Sequence, residues 1–562
     1  MQHVVSTPSQ ARMGMAARIS QLATRVRTET PSLAECAVAL ISTVLLTIAF
    51  PDFNLWPLAW FSLVPLLLLV AHKPHPWRCF YLGWLFGSVF FYASCYWLTY
   101  SMIHTAGIAP WLAYLVLAPG AVLLGVFPAL STLLLARAIR RWGVAAIFLA
   151  PLFWPALEWA RLQTTGQLWN AVGYSQAYHP LLIQIARGGG VYAVSSLILT
   201  VNALLVYALM EKTVRPRIVS AAVLAFVAAM LMIFAVPLMT GPSPTVHAKP
   251  DLVVIAVQPD VPMQTLTDPS AIETLLNRHI SLSTTALVEH WERDGRIDAP
   301  QPPPDSESAK AESAEVRRTI PRLVVWPESP MNFAYGSDNR LRERLATFAK
   351  ANNASVLLNS QELAPNDGIY NSALLINEEG ELVVQYDKIR LLPFGEYVPL
   401  PRWLPGSGLI TSIVGDFTPG TNYPLMLLGQ RRAGVFICIE SAYPAIARRF
   451  TGEGADVLIN ISNDGYLGPT AVMRQHLANA IFRAVENERP VLRVTNTGIT
   501  AFITPTGNLI DATEGFKPVV RIWTIGQVTP HHTFYTKHGD LFAVGCGLLS
   551  LLIFVLTFRR AR

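Results

Sequence analysis

The chain has 562 residues, of which 52% are hydrophobic and only 14% charged, with a formal net charge of +6. That balance excludes an ordinary soluble protein of this length. Residues 241–540 hold 26 basic and 32 acidic side chains and the rest of the chain 17 and 5, so the positive sign belongs to the apolar part and gives no argument for nucleic-acid binding.

Residues 1–32 carry Arg12, Arg18, Arg25 and Arg27 but no apolar run with a cleavage site, which reads as a basic cytosolic tail. Seven apolar runs follow: Leu33–Phe50 (with Glu35 near its start), Leu55–Ala71, Cys79–Met102, Trp111–Ala136, Val144–Leu157, Val191–Met210 and Ile218–Thr240. An eighth, Leu541–Phe558, comes after the polar segment. Most have the length to cross hydrocarbon, and Val144–Leu157, flanked by Glu158 and Arg161, is the shortest. The expectation is a polytopic α-helical membrane domain of eight helices, over 33–240 and 541–562. Basic residues gather in alternate connections: Lys73 and Arg78, then Arg137, Arg140 and Arg141, then Lys212, Arg215 and Arg217, and finally Arg559, Arg560 and Arg562. The other connections hold only Arg161 and Arg187. By the positive-inside rule, residues 241–540 lie outside the cytoplasm.

Two motifs in the apolar part carry little. Gly173-Tyr-Ser175-Gln-Ala177 lacks the final glycine of a serine nucleophile elbow. Gly188-Gly-Gly190 lacks the Lys-Ser/Thr of a phosphate loop and reads as a flexible turn.

The polar segment alternates strands with helices. Asp251–Gln258 reads as a buried strand and Ala271–Arg293 as a helix, followed by a Pro-, Ser- and Glu-rich stretch, 297–320, that reads as a disordered insertion. Strand Leu323–Trp326, helix Asn339–Lys350 and strand Ser355–Asn359 come next, then Ser372–Ile376 and Leu382–Gln385 around the turn Asn377-Glu-Glu-Gly380. Strands Gly434–Cys438 and Asp456–Ile461, helix Ala471–Glu488, and strands Val491–Val494 and Thr500–Ile503 complete the pattern before the turn Pro505-Thr-Gly507. This is an α/β layered domain.

Cys438 is the single cysteine of that segment; Cys36, Cys79, Cys95 and Cys546 all lie in apolar runs. A lone thiol there cannot form a disulfide within its own domain. Glu328 ends the run Leu323–Trp326 and Lys388 ends Val383–Asp387. An acid, an ammonium and a thiol at the ends of separate strands can converge on one sheet edge, as a base, an oxyanion partner and a nucleophile require. The plain alternative for any isolated cysteine is a buried structural role. Glu328 could equally be a turn carboxylate, and Lys388 a solvated hairpin lysine.

Trp326-Pro-Glu328-Ser, Tyr386-Asp-Lys388, Pro393-Phe-Gly-Glu396-Tyr-Val-Pro399, Ile437-Cys438-Ile-Glu440 and Asn460-Ile-Ser-Asn463-Asp464 stand in an order that resembles the nitrilase (carbon–nitrogen hydrolase) superfamily. With helices on both sides, residues 33–558 resemble its membrane-embedded apolipoprotein N-acyltransferase family. The chain departs from the family at Ile439, where an aromatic residue is common, and at Gly465-Tyr466-Leu467-Gly468, where Ala-Trp-Phe-Gly is usual.

The resemblance implies an αββα nitrilase-like sandwich over 241–540, with Glu328 as general base, Cys438 as nucleophile, and Lys388 and a backbone N–H near Ile439 as oxyanion partners. Glu396, Glu440, Asn371 and Tyr466 are implied in supporting or substrate-binding roles, Glu440 alternatively as a helix cap and Asn371 as a plain turn residue. It also implies that a phospholipid gives an acyl chain to Cys438, which passes it to the α-amine of a diacylglyceryl-modified apolipoprotein. The expected setting is a bacterial inner membrane with the catalytic domain on the periplasmic side, in a monomer without cofactor, metal or nucleic acid. Apolar loops at Trp403-Leu-Pro and Leu409–Val414 would line the lipid entrance or, alternatively, pack as core. His531-His532 lacks partners at metal-ligand spacing, and His476 reads as a satisfied helix histidine. Two alternatives remain: a membrane-anchored amidohydrolase that resolves the thioester with water, and a transporter with charged residues inside its spans.

Overall fold

The computed structural model of the protein describes residues 29–166, 168–211, 250–263, 269–296, 320–328, 333–365, 368–393, 395–398, 417–526 and 531–558. The tail before residue 29, the expected helix 218–240, most of the 297–320 stretch and both expected entrance loops therefore lie outside the described residues.

Helix α1 (Leu33–Ala49) opens on a capping box: the Ser32 Oγ accepts the Glu35 N–H and the Glu35 carboxylate accepts the Ser32 N–H. Glu35 also binds Lys73 and Arg78, so the one charge of this run serves its end. A 3-10 turn, Trp56–Trp60, leads into α2 (Val64–His72). Helix α3 (Pro76–Ser94) and α4 (Leu98–His104) meet at a 50° bend, where an unbroken span is expected from the sequence. Next come α5 (Pro110–Leu124), α6 (Val126–Trp142), α7 (Ala150–Thr165) and α8 (Ala186–Met210). Helix α8 breaks at Gly189 and Gly190. Gly190 has φ +65°, and a Cβ there would meet the Tyr535 ring at 2.7 Å, so both conformation and space demand glycine.

Among the described residues, three helical stretches are long and apolar enough to cross a membrane: Pro110–Trp142, Val144–Thr165 and Ala186–Met210. The bent pair α3–α4 makes a fourth if it is one span, and Leu33–Ala49, Trp56–His72 and Leu541–Leu556 are shorter apolar helices. Eight full spans are thus not reached by length and composition among the described residues, which leave out the expected run 218–240. The fifth expected run also extends further than its apolar core, because α7 continues through Glu158 and Arg161. Both are buried and bonded locally: Glu158 accepts from the Trp154 indole and the Val172 N–H, and Arg161 donates to the Trp169 carbonyl. The second Glu158 oxygen has no hydrogen-bond partner among the described residues, and both side chains line a small cavity with Phe86, Phe90 and Trp154.

The polar segment forms two six-stranded sheets. The first has the order β12-β1-β2-β3-β4-β5, built from β1 (Pro250–Gln258), β2 (Arg322–Val325), β3 (Ser355–Leu363), β4 (Ile369–Ile376), β5 (Leu382–Asp387) and β12 (Val519–Gly526). The second has the order β11-β10-β9-β8-β7-β6, built from β6 (Met426–Leu428), β7 (Arg431–Ile437), β8 (Val457–Ser462), β9 (Val491–Thr495), β10 (Ala501–Ile503) and β11 (Leu509–Ile510). Each has a parallel centre, β1–β2–β3 and β7–β8–β9, flanked by antiparallel strands.

Strand periodicity sorts the core into layers. Leu252, Val254 and Ala256 of β1 share a cluster with Val435 and Ile437 of β7, whereas Val253, Ile255 and Val257 join α9 (Pro269–Arg296) and α10 (Asn339–Asn352) on the outer face. The second sheet is covered by α11 (Pro444–Gly452) and α12 (Val472–Asn487). Helix α12 is buried along nearly its whole length because it also packs on α8 of the apolar half. Strands β6, β11 and β12 are absent from the sequence reading.

Candidate active site

Parallel strands present side chains beyond their carboxyl ends at one edge of a sheet. Glu328 follows β2, Lys388 follows β5 and Cys438 follows β7. The structure brings the Lys388 ammonium to 2.8 Å from Glu396 Oε1 and 3.4 Å from Glu328 Oε1. Asn371, on β4, donates to both carboxylates, at 2.7 Å to Glu396 and 3.0 Å to Glu328. Its own amide is oriented by Asn359 on β3, which donates to Asn371 Oδ1 at 2.7 Å. Glu328 Oε2 accepts the Asn463 N–H at 3.1 Å, after β8. Both sheets therefore contribute to one polar cluster.

Lys388 is only 1% exposed. Burial alone would pull its pKa down, but Glu328, Glu396 and the neighbouring Cys438 outweigh that and hold it well above the ordinary lysine value. The ammonium is thus a fixed charge in a site of low polarisability, where charge acts most strongly.

Cys438 has φ +54°, a left-handed conformation that a non-glycine residue holds at a cost of about 1–3 kcal/mol. The cause is the sharp turn from β7 into the 3-10 helix Cys438–Ala442. Glu440 stabilises that turn. Its carboxylate accepts the Ile437 N–H at 2.7 Å, the Ile389 and Arg390 N–H groups at 2.8 and 3.0 Å, and the Tyr386 hydroxyl at 2.8 Å. Tyr386, Ile389 and Arg390 flank Lys388, so one buried carboxylate clamps the lysine strand to the cysteine turn. Burial pushes the Tyr386 phenol far above its ordinary value, reinforced by Glu440, and keeps it a donor. Burial likewise raises Glu440, against the opposing N–H groups of Ile437 and Arg390. Glu440 is part cap, as the sequence alternative has it, and part brace.

The Cys438 thiol is pushed well above its ordinary pKa, first by burial and then by Glu328, while Lys388 pulls the other way. The resting group is therefore a thiol, and any nucleophilic role needs a base at the moment of attack. Glu328 and Glu396 each accept three donors, and the Glu328 contacts are the longer ones, at 3.0–3.4 Å against 2.7–2.8 Å.

Behind Cys438 lies a second cluster that sequence reasoning did not assemble. His476 Nε2 is 2.9 Å from the Cys438 carbonyl and Nδ1 is 2.8 Å from Asp464 Oδ1. Arg493 reaches Asp464 at 2.9 Å. Arg493 and His476 hold the Asp464 carboxyl far below its usual range, although burial opposes them. The signal was available: Asp464 ends the Asn460–Asp464 motif, and His476 stands on the helix that follows.

Tyr466 is 44% exposed, on the short turn Gly465–Leu467 beside α4, and the pKa of its phenol is pushed up to about 12 by burial and by the nearby Glu328, Glu396 and Cys438. A Cβ on Gly468 (φ +69°) would clash with the Tyr100 ring, so the site loop rests directly on α4. Ser175 is buried, donates to the Val172 carbonyl and accepts from Gln176. His531 pairs with Glu488. Among the described residues no group of three or more His, Cys, Asp and Glu side chains is placed to hold a metal ion.

Comparison with known proteins adds to this geometry. Residues 42–204 match the family described as apolipoprotein N-acyltransferase N-terminal domain, and residues 310–525 match the carbon-nitrogen hydrolase family. The apolipoprotein N-acyltransferase of Geobacter metallireducens is 31% identical over 533 residues, covering 93% of this chain and 95% of the relative. Those of Rhizobium meliloti and Chlorobaculum tepidum are each 28% identical, covering 92% and 93% of this chain and 94% and 96% of the relatives. Among solved structures, Saccharomyces cerevisiae Nit3, of the nitrilase superfamily, is 17% identical with a TM-score of 0.34, covering 50% of this chain and 91% of its own.

Proposed function

The chain belongs to the apolipoprotein N-acyltransferase family, and on that premise we propose that it moves a fatty acyl chain from a phospholipid, through a Cys438 thioester, to the α-amine of a diacylglyceryl-cysteine at an apolipoprotein N-terminus. The observation that carries the reading is the meeting of Glu328, Lys388 and the Cys438 turn at the ends of strands from two sheets, with the ammonium buried between carboxylates.

In the first half-reaction Glu328 takes the Cys438 proton as sulfur attacks the ester carbonyl. The tetrahedral oxyanion is met by the Lys388 ammonium and by a backbone N–H near Ile439. Collapse breaks the ester C–O bond, and Glu328 returns the proton to the departing lysophospholipid hydroxyl. In the second half-reaction the amine attacks the thioester, Glu328 takes its proton, and sulfur leaves and is reprotonated. The balance is ester plus amine giving amide plus alcohol. Glu396 and Asn371 hold Lys388 and Glu328 in register, Glu440 braces the turn, and Tyr466 lines the approach.

The setting follows the same reading. Residues 33–240 and 541–562 form an eight-helix membrane part, 241–540 the catalytic part, on the periplasmic side of a bacterial inner membrane, in a monomer. Lipid substrates require a site at the membrane surface, and the packing of the site loop on α4 supports that placement. An impermeant thiol reagent should label engineered cysteines within 297–320 in cells whose outer membrane alone is permeabilised; labelling only after inner-membrane lysis would reverse the orientation.

The acceptor is tested with purified protein, a fluorescent phospholipid and a synthetic diacylglyceryl-cysteinyl peptide. The free-amine peptide should be acylated and its N-acetylated twin spared. Equal donor consumption with either would favour a hydrolase that resolves the thioester with water.

A further inference from the structure

Two adjacent residues of α12 face the two halves of the molecule. Gln475 Oε1 accepts the indole N–H groups of Trp97 (3.1 Å) and Trp169 (2.8 Å), and its Nε2 donates to the carbonyls of Pro51 and Ser94, both at 3.1 Å. All four hydrogen-bonding positions of the amide are used. These partners sit where apolar helices end or break: Pro51 just beyond α1, Ser94 and Trp97 at the α3–α4 bend, and Trp169 just beyond α7. A carbonyl freed from a helix ladder among apolar helices has little water to turn to; the Ser94 carbonyl accepts both the Trp97 indole N–H, at 3.0 Å, and Gln475.

His476 faces the nucleophile. A carbonyl can only accept, so the Nε2 lying 2.9 Å from the Cys438 oxygen carries a proton. Behind it, the Arg493 guanidinium lies 3.1 Å from Nδ1 and binds Asp464, whose Oδ1 lies 2.8 Å from the same nitrogen, and the ring lies 5.6 Å from the Trp169 ring that Gln475 also holds. The restrained carbonyl belongs to the residue whose backbone is left-handed.

We propose that His476 is a positioning residue whose Nε2–H fixes the Cys438 peptide and so aims the thiol, and that Gln475 makes this aim depend on the seating of α12 on the apolar helices. The inference deepens the thioester reading and rests on Cys438 as the acyl carrier. The nucleophile is thereby set only in a molecule whose two halves are docked, which keeps a thiol that meets lipid from being aimed in a half-assembled enzyme.

The test uses the full-length protein in lipid nanodiscs, with single-turnover formation of the Cys438 acyl adduct followed by mass spectrometry over a series of phospholipid concentrations. Each protein is assayed well below its own melting temperature. His476→Gln keeps a donor at the position of Nε2 and should acylate within a few-fold of wild type. His476→Asn can still bond Asp464 but stops short of the Cys438 carbonyl. Its limiting acylation rate should fall by on the order of 100-fold with the half-saturating phospholipid concentration unchanged, as misplacement of a reacting group by about 1 Å would produce. Gln475→Met, similar in volume but without the four bonds, should lower the same limiting rate about tenfold or more, again without weakening donor binding.

Equal rates for the Gln and Asn variants of His476 would overturn the positioning role, since a merely structural histidine is replaced as well by either. A wild-type rate in Gln475→Met would overturn the coupling. An adduct absent from wild type would overturn the thioester reading and this inference with it, whereas an adduct on wild type with either of the other results removes the inference alone.

Discussion

The two sides of Cys438 are built from the same residue types to opposite ends. In front, Glu328, Lys388, Glu396 and Asn371 come largely from the first sheet; Glu328 is 13% exposed, and its Oε1 shares Asn371 and Lys388 with Glu396. Behind, Asp464, His476 and Arg493 come from the second sheet and α12 and are almost wholly buried, with Asp464 ion-paired to Arg493 and in contact with the His476 ring. On the proposed mechanism the front can exchange a proton, at the part-exposed Glu328. The back cannot, because each charge is spent on holding another. A catalytic turn in a strained conformation needs both: a side that changes state and a side that does not.

The comparison is broken most sharply at the front. Glu328→Gln preserves shape and most hydrogen bonds but removes the proposed base, so acyl-adduct formation should fall about 10²–10⁴-fold, with the melting temperature nearly unchanged. A comparable loss from Asp464→Asn, at equal folded fraction, would mean that the two sides do not divide the labour.

At the back the larger effect is on stability. Asp464→Asn leaves Arg493 buried without its carboxylate and should cost about 3–5 kcal/mol, read from denaturation in detergent. The wild-type contribution has a definite sign with pH. Because Asp464 is depressed in the folded state, its stabilisation is complete above about pH 4 and drains as pH falls through the lower folded value.

Glu440→Gln sharpens the boundary between the sides. The amide has a single acceptor oxygen for four donors, so about 1–3 kcal/mol of stability should go, with a modest fall in rate as Lys388 loosens. The smallest effect is in the resting thiol. Since burial raises Cys438, a small alkylating reagent should modify it more slowly than free cysteine at neutral pH, and the rate should still be climbing above pH 9. A plateau near neutral pH would show a resting thiolate.

How much of this is legible in the sequence depends on distance along the chain. Helix α10, expected over Asn339–Lys350, spans Asn339–Asn352, and α12, expected over Ala471–Glu488, spans Val472–Asn487, because amphipathic period and caps are local. Strand β12 escaped: Val519–Gly526 is mostly half-buried, and its place in the sheet comes from β1, far away in sequence. The α3–α4 bend escaped for the same reason, since Gln475, which joins Trp97 on the freed Ser94 carbonyl, lies 381 residues away. Glu328, Lys388, Glu396 and Cys438 were legible through motif order and strand ends. Asn359, Asp464 and Arg493 are not singled out as site residues, because their roles exist only once β3 lies beside β4 in one sheet and β8 beside β9 in the other.

The most direct measurement is the intact mass of purified protein after exposure to phospholipid vesicles without acceptor. Wild type should gain the mass of one fatty acyl chain, removable by hydroxylamine as a thioester requires, and Cys438→Ala should gain nothing while remaining folded in the membrane. An acyl adduct on Cys438→Ala, or none on wild type under turnover conditions, would contradict the account.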